Sequence, residues 1–195
     1  MLSDIFPIAL AWLLRPDVEG GEVNHPADRG GHTKYGIADA ADGKKDGMAD
    51  LDRDGIPDIA IRDLTPAHTA PFYQRFYWRP ASGHTLAQLS PALAIAVFDG
   101  AVHHGPARSV KLLQQVLGVL DDGKFGPRSL EQCRLRLASQ GEVGLLRALL
   151  ERRASFLLGI VRKDPSQWAN ADGWINRLLR LQSYLLSDVV GEVVA

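Results

Sequence analysis

The sequence predicts a mainly α-helical fold with one small β-hairpin close to the N-terminus. Apolar residues recur at helical spacing at the start of the chain and again from residue 65 onward. Five glycines fall between residues 19 and 37, which predicts tight turns there. The chain has 195 residues, of which 46% are hydrophobic, so it can bury a sizeable core.

The N-terminal part begins with a predicted helix from Ser3, a suitable N-cap, to about Arg15. The glycine-rich hairpin follows this helix, and residues 33–37 are its predicted second strand. A short helix is expected over residues 37–41. Glu19 therefore lies where an apolar helix ends and the hairpin begins.

An aspartate-rich segment covers residues 42–63. Within it, DLDRDGIPD matches the first nine positions of a calcium loop of the EF-hand type. The candidate metal ligands are Asp50, Asp52, Asp54, Ile56 and Asp58. Position twelve of the loop holds Ile61 instead of the usual glutamate. We expect a structural Ca²⁺ here and no cofactor for catalysis, and the alternative is a solvated acidic loop.

The remaining segments read as helices. Thr65 and Pro66 begin one that carries several aromatic residues and stops before Pro80. Ser90 begins a helix that is apolar on all sides, which predicts a buried central helix. Three further predictions are a helix–turn–helix over 109–133 and helices over about 142–161 and 172–190.

Charge and composition exclude several classes of function. The net charge of −1 argues against nucleic acid and against a polybasic membrane segment as partners. The single cysteine, Cys133, excludes an intrachain disulfide. No apolar run approaches the ~20 residues of a membrane helix, and no signal peptide is evident. We expect synthesis in the cytoplasm and a monomer.

The glycine-rich stretch combines groups that hydrolysis of a glycosidic bond needs. Glu19 and Asp28 supply two carboxylates, Thr33 a hydroxyl and Tyr35 a phenol. Such hydrolysis usually requires a carboxylic acid that protonates the leaving oxygen and a second carboxylate. An apolar setting favours the protonated form of a carboxyl group in general.

The ordered set Glu19-Gly-Gly, then Asp28-x-Gly-Gly-x-Thr33-x-Tyr-Gly-Ile, resembles the signature of glycoside hydrolase family 108, the N-acetylmuramidases of phages and bacteria. The resemblance implies a lysozyme-like helical fold and a peptidoglycan hydrolase that cuts between MurNAc and GlcNAc, with Glu19 as general acid. Spacing similar to that of phage-type lysozymes makes Asp28 and Thr33 the candidates for charge stabilisation and water positioning. Asp28 alternatively only closes the turn.

Residues outside the hairpin extend this resemblance. The candidate substrate-binding residues are Tyr35, Tyr77, Trp78, Asp99 and His103. For Tyr77 and Trp78 the alternative is a place in the core, and for Asp99 it is a satisfied core carboxylate. The family usually has Asn where this chain has His103.

The C-terminal half, from LLQQVLGV to DGKFGPRSL, resembles the peptidoglycan-binding-like module of the same family. We therefore expect a catalytic region over 1–105, with the insertion at 42–63, and a binding region over 106–195, packed as one compact unit. The alternative function is a non-catalytic peptidoglycan-binding or secretion-associated protein. For a phage lysin, the resemblance implies delivery to the cell wall by a holin.

Overall fold

The computed structural model describes residues 4–24 and 31–189, and it confirms the mainly α-helical class. The helices of this part are α1 (Phe6–Leu13), α2 (Pro66–Tyr73), α3 (Gly83–Ala87), α4 (Pro91–His104), α5 (Pro106–Leu117), α6 (Pro127–Lys163) and α7 (Trp168–Tyr184). The strands are β1 (Glu22–Val23), β2 (Thr33–Lys34), β3 (Ile37–Ala38), β4 (Met48–Ala49) and β5 (Ile59–Ala60). None of the helices in these ranges has both the length and the apolar character that crossing a membrane requires.

Residues 7–76 form one compact unit, which contains the hairpin region. Strands β1, β2 and β3 form an antiparallel sheet in which Thr33 pairs with Val23 on one side and Ala38 on the other. The expected single strand over 33–37 is two strands, because Tyr35 and Gly36 turn the chain with φ of 53° and 73°. The expected helix over 37–41 is β3 followed by a 3₁₀ turn at Asp39–Asp42.

Of the described residues, 4–6 and 77–189 form the second compact unit. Helix α4 is the buried centre that its apolar sequence predicts, since every residue from 92 to 101 is buried. Its N-cap is Ser90, whose hydroxyl oxygen accepts a hydrogen bond from the Leu93 N–H at 2.8 Å. The division between the two units falls at 76/77, whereas the predicted regions meet at 105/106.

Helices α5 to α7 follow the predicted order with shifted boundaries. Helix α6 is kinked at Gly141, whose φ of 72° and ψ of 170° are non-helical, and its second part corresponds to the helix expected over 142–161. The last helix begins at Trp168, earlier than predicted, and continues beyond Tyr184 as a π-helical turn over Leu185–Val189. Helix α7 therefore starts four residues before the expected position at residue 172.

Candidate active site

The backbone after α1 folds back on the helix and fixes the position of Glu19. The Glu19 N–H donates to the Leu13 carbonyl at 3.0 Å, and the Gly20 N–H donates to the Arg15 carbonyl at 2.9 Å. A Cβ on Gly20 would overlap the carbonyl of Leu14, so only glycine permits this close return. The Glu19 side chain is half-buried as a result.

The turn between β2 and β3 faces this carboxylate. A Cβ on Gly36 would lie 3.0 Å from Glu19 Oε2 and 2.5 Å from the hydroxyl of Tyr73. The Tyr73 hydroxyl donates to the Tyr35 carbonyl at 2.7 Å, and the Tyr35 N–H donates to the Gly21 carbonyl at 3.1 Å. The glycine turn is thereby tied both to the segment after Glu19 and to helix α2.

Tyr73 and Gly36 are site residues that the sequence did not single out. Tyr73 is almost fully buried, with 1% of its surface exposed, and it is separated from Tyr35 by 38 positions. In the sequence, Tyr73 is one of several aromatic residues of the helix that begins after Thr65. Only the fold shows that its hydroxyl holds the turn beside Glu19.

Charged side chains lie on strands β1 and β2 of the small sheet and at His32, just before β2. Glu22 Oε1 lies 2.7 Å from His32 Nε2, and Glu22 Oε2 lies 3.6 Å from Lys34 Nζ. The hydrogen bond with His32, together with the charge of Lys34, lowers the pKa of Glu22. Glu22 is therefore an exposed, paired carboxylate opposite Lys34, and Thr33 on β2 is half-buried opposite Val23. The second catalytic candidate, Asp28, lies outside the described residues.

Two of the predicted sugar-binding aromatics occupy different environments. Trp78 is fully buried in the second unit, where its ring packs 5.5 Å from Phe6 and from Phe98 and covers Gly83. A ring enclosed in this way cannot stack on a sugar, so Trp78 is a core residue and the substrate-contact prediction for it is wrong. Tyr77 is partly exposed and remains a candidate.

Asp99 is also buried, with no exposed surface. Its Oδ2 accepts from Arg153 Nη2 at 2.7 Å, and its Oδ1 accepts from Arg177 Nε at 3.0 Å. This two-arginine ion pair explains how α4 tolerates a carboxylate, and it replaces the predicted contact with substrate. Through this pair, Arg177 of α7 is held against α4.

His103 lies one turn after Asp99, and its Nδ1 has no hydrogen-bond partner among the described residues. Burial lowers the pKa of His103 to about 4, and the charges of Arg177 and Arg153 act in the same direction. The imidazole is therefore neutral near pH 7. Its role in substrate binding remains a prediction.

The aspartate-rich loop brings together three of the five predicted metal ligands. Carboxylate oxygens of Asp50, Asp52 and Asp58 lie within 4.8 Å of one another. Asp54 is outside this group, and its Oδ1 accepts instead from the Ile56 N–H at 2.8 Å. Gly55, at position six of the loop, has the φ of +90° that the sharp turn requires.

Asp50 accepts several backbone hydrogen bonds within this loop. It accepts hydrogen bonds from the N–H groups of Arg53 at 2.7 Å, Asp54 at 3.2 Å and Gly55 at 2.8 Å. Desolvation alone would raise the pKa of Asp50, but these hydrogen bonds outweigh it and the pKa lies below its usual value. The anionic form needed by a hard cation is thus favoured.

The mainly helical fold with a small sheet beside Glu19 can be compared with known proteins. Residues 14–105 match the family described as glycosyl hydrolase 108, and residues 108–179 match a second family, described as a predicted peptidoglycan domain. Residues 14–105 therefore form a domain of the glycosyl hydrolase 108 type, and the predicted peptidoglycan domain follows it in the chain. At the family level the chain is a glycoside hydrolase that acts on peptidoglycan.

A solved structure supports the same assignment of fold. SagA of Brucella abortus is 29% identical to this chain, with 93% of this chain and 94% of SagA covered and a TM-score of 0.69. The similarity confirms the lysozyme-like helical fold. Among curated proteins no significant match exists.

Proposed function

We propose that the protein is an N-acetylmuramidase that hydrolyses the β-1,4 bond between MurNAc and GlcNAc, with Glu19 as general acid. The supporting observation is the position of the Glu19 carboxylate, half-buried and directly against Gly36 at the turn of the small sheet. Backbone hydrogen bonds on both sides of Glu19 and the Tyr73 hydroxyl hold the surrounding groups in place. A general acid gains from such fixed placement, because proton transfer requires close contact with the leaving oxygen.

The reaction places different demands on each group. Glu19 in its protonated form donates its proton to the glycosidic oxygen as the C–O bond breaks, and positive charge develops on the sugar. Water then supplies the hydroxyl for the anomeric carbon. We propose that Asp28 stabilises the charge or activates this water, and that Thr33 positions the water. Tyr35 and Tyr77 are the proposed contacts to the sugar rings.

The fragments released from peptidoglycan show which glycosidic bond the enzyme cleaves. Purified peptidoglycan digested with the enzyme should give fragments with MurNAc at the new reducing end by mass spectrometry. Fragments ending in GlcNAc would contradict the muramidase proposal, and no fragments would support a non-catalytic wall-binding or secretion-associated protein. Asp28→Asn should lower the rate less than Glu19→Gln does, and an unchanged rate would leave Asp28 a turn residue.

We further propose that the aspartate-rich loop binds a structural Ca²⁺. The convergence of Asp50, Asp52 and Asp58 and the positive φ of Gly55 support this proposal. The loop has few apolar residues to bury, and an ion can offset the conformational entropy of ordering it. The ion takes no part in the proposed hydrolysis.

The remaining proposal concerns the place of action. We propose synthesis in the cytoplasm, delivery by a holin or another route, and action on the cell wall as an endolysin. The peptidoglycan domain over 108–179 supports the wall as the target. Expression of the protein in a Gram-negative host, with and without a holin, tests this route. The turbidity of the culture should fall only when the protein and the holin are expressed together.

A further inference from the structure

Helix α7 carries two apolar stripes instead of one. The first is buried against the rest of its unit and includes Ala171, Leu178 and Leu181. The second runs along the neighbouring face at Trp168, Ile175 and Leu179, spaced by seven and four residues, and Leu186 follows in the π-helical turn after α7. A single surface helix needs only one apolar stripe to pack on its own core.

The second stripe is exposed to an extent that is unusual for such side chains. Trp168 is 64% exposed and Leu179 is 57% exposed. Leu186 continues the same line at 38%. On the facing helix α6, Val143 and Leu158 are also exposed. Contiguous apolar surface of this kind marks an interaction site.

A groove of about 240 Å³ lies between α6 and α7 on this face. Its floor is formed by Leu150 and Ala154 of α6 and by Ile175, Leu178 and Leu179 of α7. The rest of the lining consists of Arg147, Glu151 and Gln182, so the groove has an apolar floor with polar groups beside it, which suits packing of another amphipathic helix.

The polar residues of the groove have complementary charges. Arg147 and Glu151 lie one turn apart on α6 and both line the groove. Within residues 4–24 and 31–189, neither side chain forms an ion pair. If α6 meets an antiparallel copy of itself, Arg147 faces Glu151 of the copy and Glu151 faces Arg147.

We propose that this face binds a second copy of the same chain. The two copies are related by a two-fold axis, so that α6 and α7 of each form a four-helix arrangement. The same patch then serves on both sides, as isologous dimers require. Trp168 and Leu179 supply the apolar anchors, and the two Arg147–Glu151 pairs fix the direction of approach.

The area of the face can be compared with that of a stable interface. From Val143 to Leu158 the helix rises roughly 22 Å at ~1.5 Å per residue, and two helices side by side are about 20 Å wide. The face is therefore about 450 Å², roughly half of the ~800 Å² per partner of a standard stable interface. We expect a weak dimer with a dissociation constant of about 1–100 µM.

Sedimentation equilibrium of the full chain from 1 to 300 µM tests the proposal. The weight-average mass should rise toward twice 21.3 kDa with concentration. Leu179→Lys should raise the dissociation constant at least about tenfold. Because Leu179 is already exposed, this variant should keep its fold, which circular dichroism checks. The control is Leu120→Lys, at a residue 77% exposed and away from the groove.

Reversing the charges of Arg147 and Glu151 tests whether the two copies use the same face. Arg147→Glu alone and Glu151→Arg alone should each be monomeric, because each places like charges opposite one another. An equimolar mixture of these two variants should dimerise again, as should the double variant. A protein that stays monomeric at 300 µM, a dimer unaffected by Leu179→Lys, or a mixture that fails to associate would each overturn the proposal. Hydrolysis of peptidoglycan is measured separately and does not bear on the outcome.

Discussion

The carboxylate of Glu19 lies directly against Gly36, with Oε2 only 3.0 Å from the position that a Cβ of Gly36 would occupy. The hydroxyl of Tyr73 is 2.5 Å from the same point. The space around the proposed acid is therefore created by the absence of a side chain. The glycine turn acts as one wall of the site, in addition to reversing the chain.

Glu19→Gln should abolish the release of reducing ends from purified peptidoglycan, with a loss of at least about 10³-fold. The amide keeps the shape of the side chain but cannot donate a proton to the leaving oxygen. The melting temperature should change little, since Glu19 is only half-buried. Glu22→Gln, at an exposed residue three positions away, is the matched control and should keep most activity. Near-normal turnover by Glu19→Gln would contradict the assignment.

Gly36→Ala should reduce activity strongly, because the new methyl group would displace Tyr73 and Glu19. The matched control is Gly43→Ala. Gly43 also has positive φ, +88°, but nothing lies within 4 Å of an added Cβ. Both variants should lose about 1 kcal/mol of stability from backbone strain. Only Gly36→Ala should lose activity, measured on the same peptidoglycan. Equal activity of the two variants would show that the contact with Glu19 is unimportant.

Local patterns were enough to predict most of the fold. The unbroken apolar run after Ser90 predicted buried α4, and the N-cap and proline signals placed the starts of α2, α4 and α6. The start predicted near residue 142 also agrees with the structure, since Gly141, with φ 72° and ψ 170°, separates the two helical parts of α6.

The candidate site was less predictable than the fold. The glycine signature identified Glu19, but the contact between Tyr73 and the Tyr35 carbonyl depends on packing between distant segments. Trp78 and Asp99 are residues to which the sequence assigned a substrate contact, whereas the structure buries both. Both residue types occur in sugar sites and in cores, and only burial distinguishes the two roles. Their spacing in the sequence is the same in either case.

Asp99→Asn should destabilise the protein by about 3–5 kcal/mol, because it leaves Arg153 and Arg177 near each other without a buried anion. Arg153 has no exposed surface and therefore cannot regain solvation. Chemical denaturation with urea measures the loss. Asp17→Asn provides the control, since Asp17 pairs with Arg15 at the surface, where an ion pair contributes about 0–1 kcal/mol. A loss below about 1 kcal/mol for Asp99→Asn would contradict the structural role.

Calcium should raise the melting temperature of the metal-free protein if the aspartate-rich loop binds it. Ca²⁺ at 100 times its dissociation constant would add about 2.7 kcal/mol. Asp50→Asn should remove most of this effect, because Asp50 is both a ligand candidate and the acceptor for three loop N–H groups. Asp63→Asn, outside the three-carboxylate group, should retain it. The absence of any shift with EDTA or Ca²⁺ would favour a solvated acidic loop.

The histidine pair on α4 should make stability depend on pH. His103 and His104 pack with ring centroids 4.7 Å apart, and burial lowers their pKa values to about 4 and about 2. Neither ring nitrogen of His104 has a hydrogen-bond partner among the described residues. Arg153 and Arg177 disfavour a further positive charge, and the anion Asp99 only partly compensates.

Because the folded-state pKa values lie below the unfolded value of about 6.5, the unfolded chain binds protons first as the pH falls. The stabilisation from neutral histidine is fully present above about pH 6.5. It decreases by about 1.4 kcal/mol per pH unit for each histidine as the pH falls further. His103 stops contributing to this loss near pH 4, whereas His104 continues toward pH 2.

His103→Asn should therefore reduce the slope of unfolding free energy against pH between 5 and 6 by about half. His84→Asn, at an exposed histidine, is the control, and urea unfolding at several pH values gives both slopes. Identical slopes in wild type and His103→Asn would show that His103 is not held neutral by the fold.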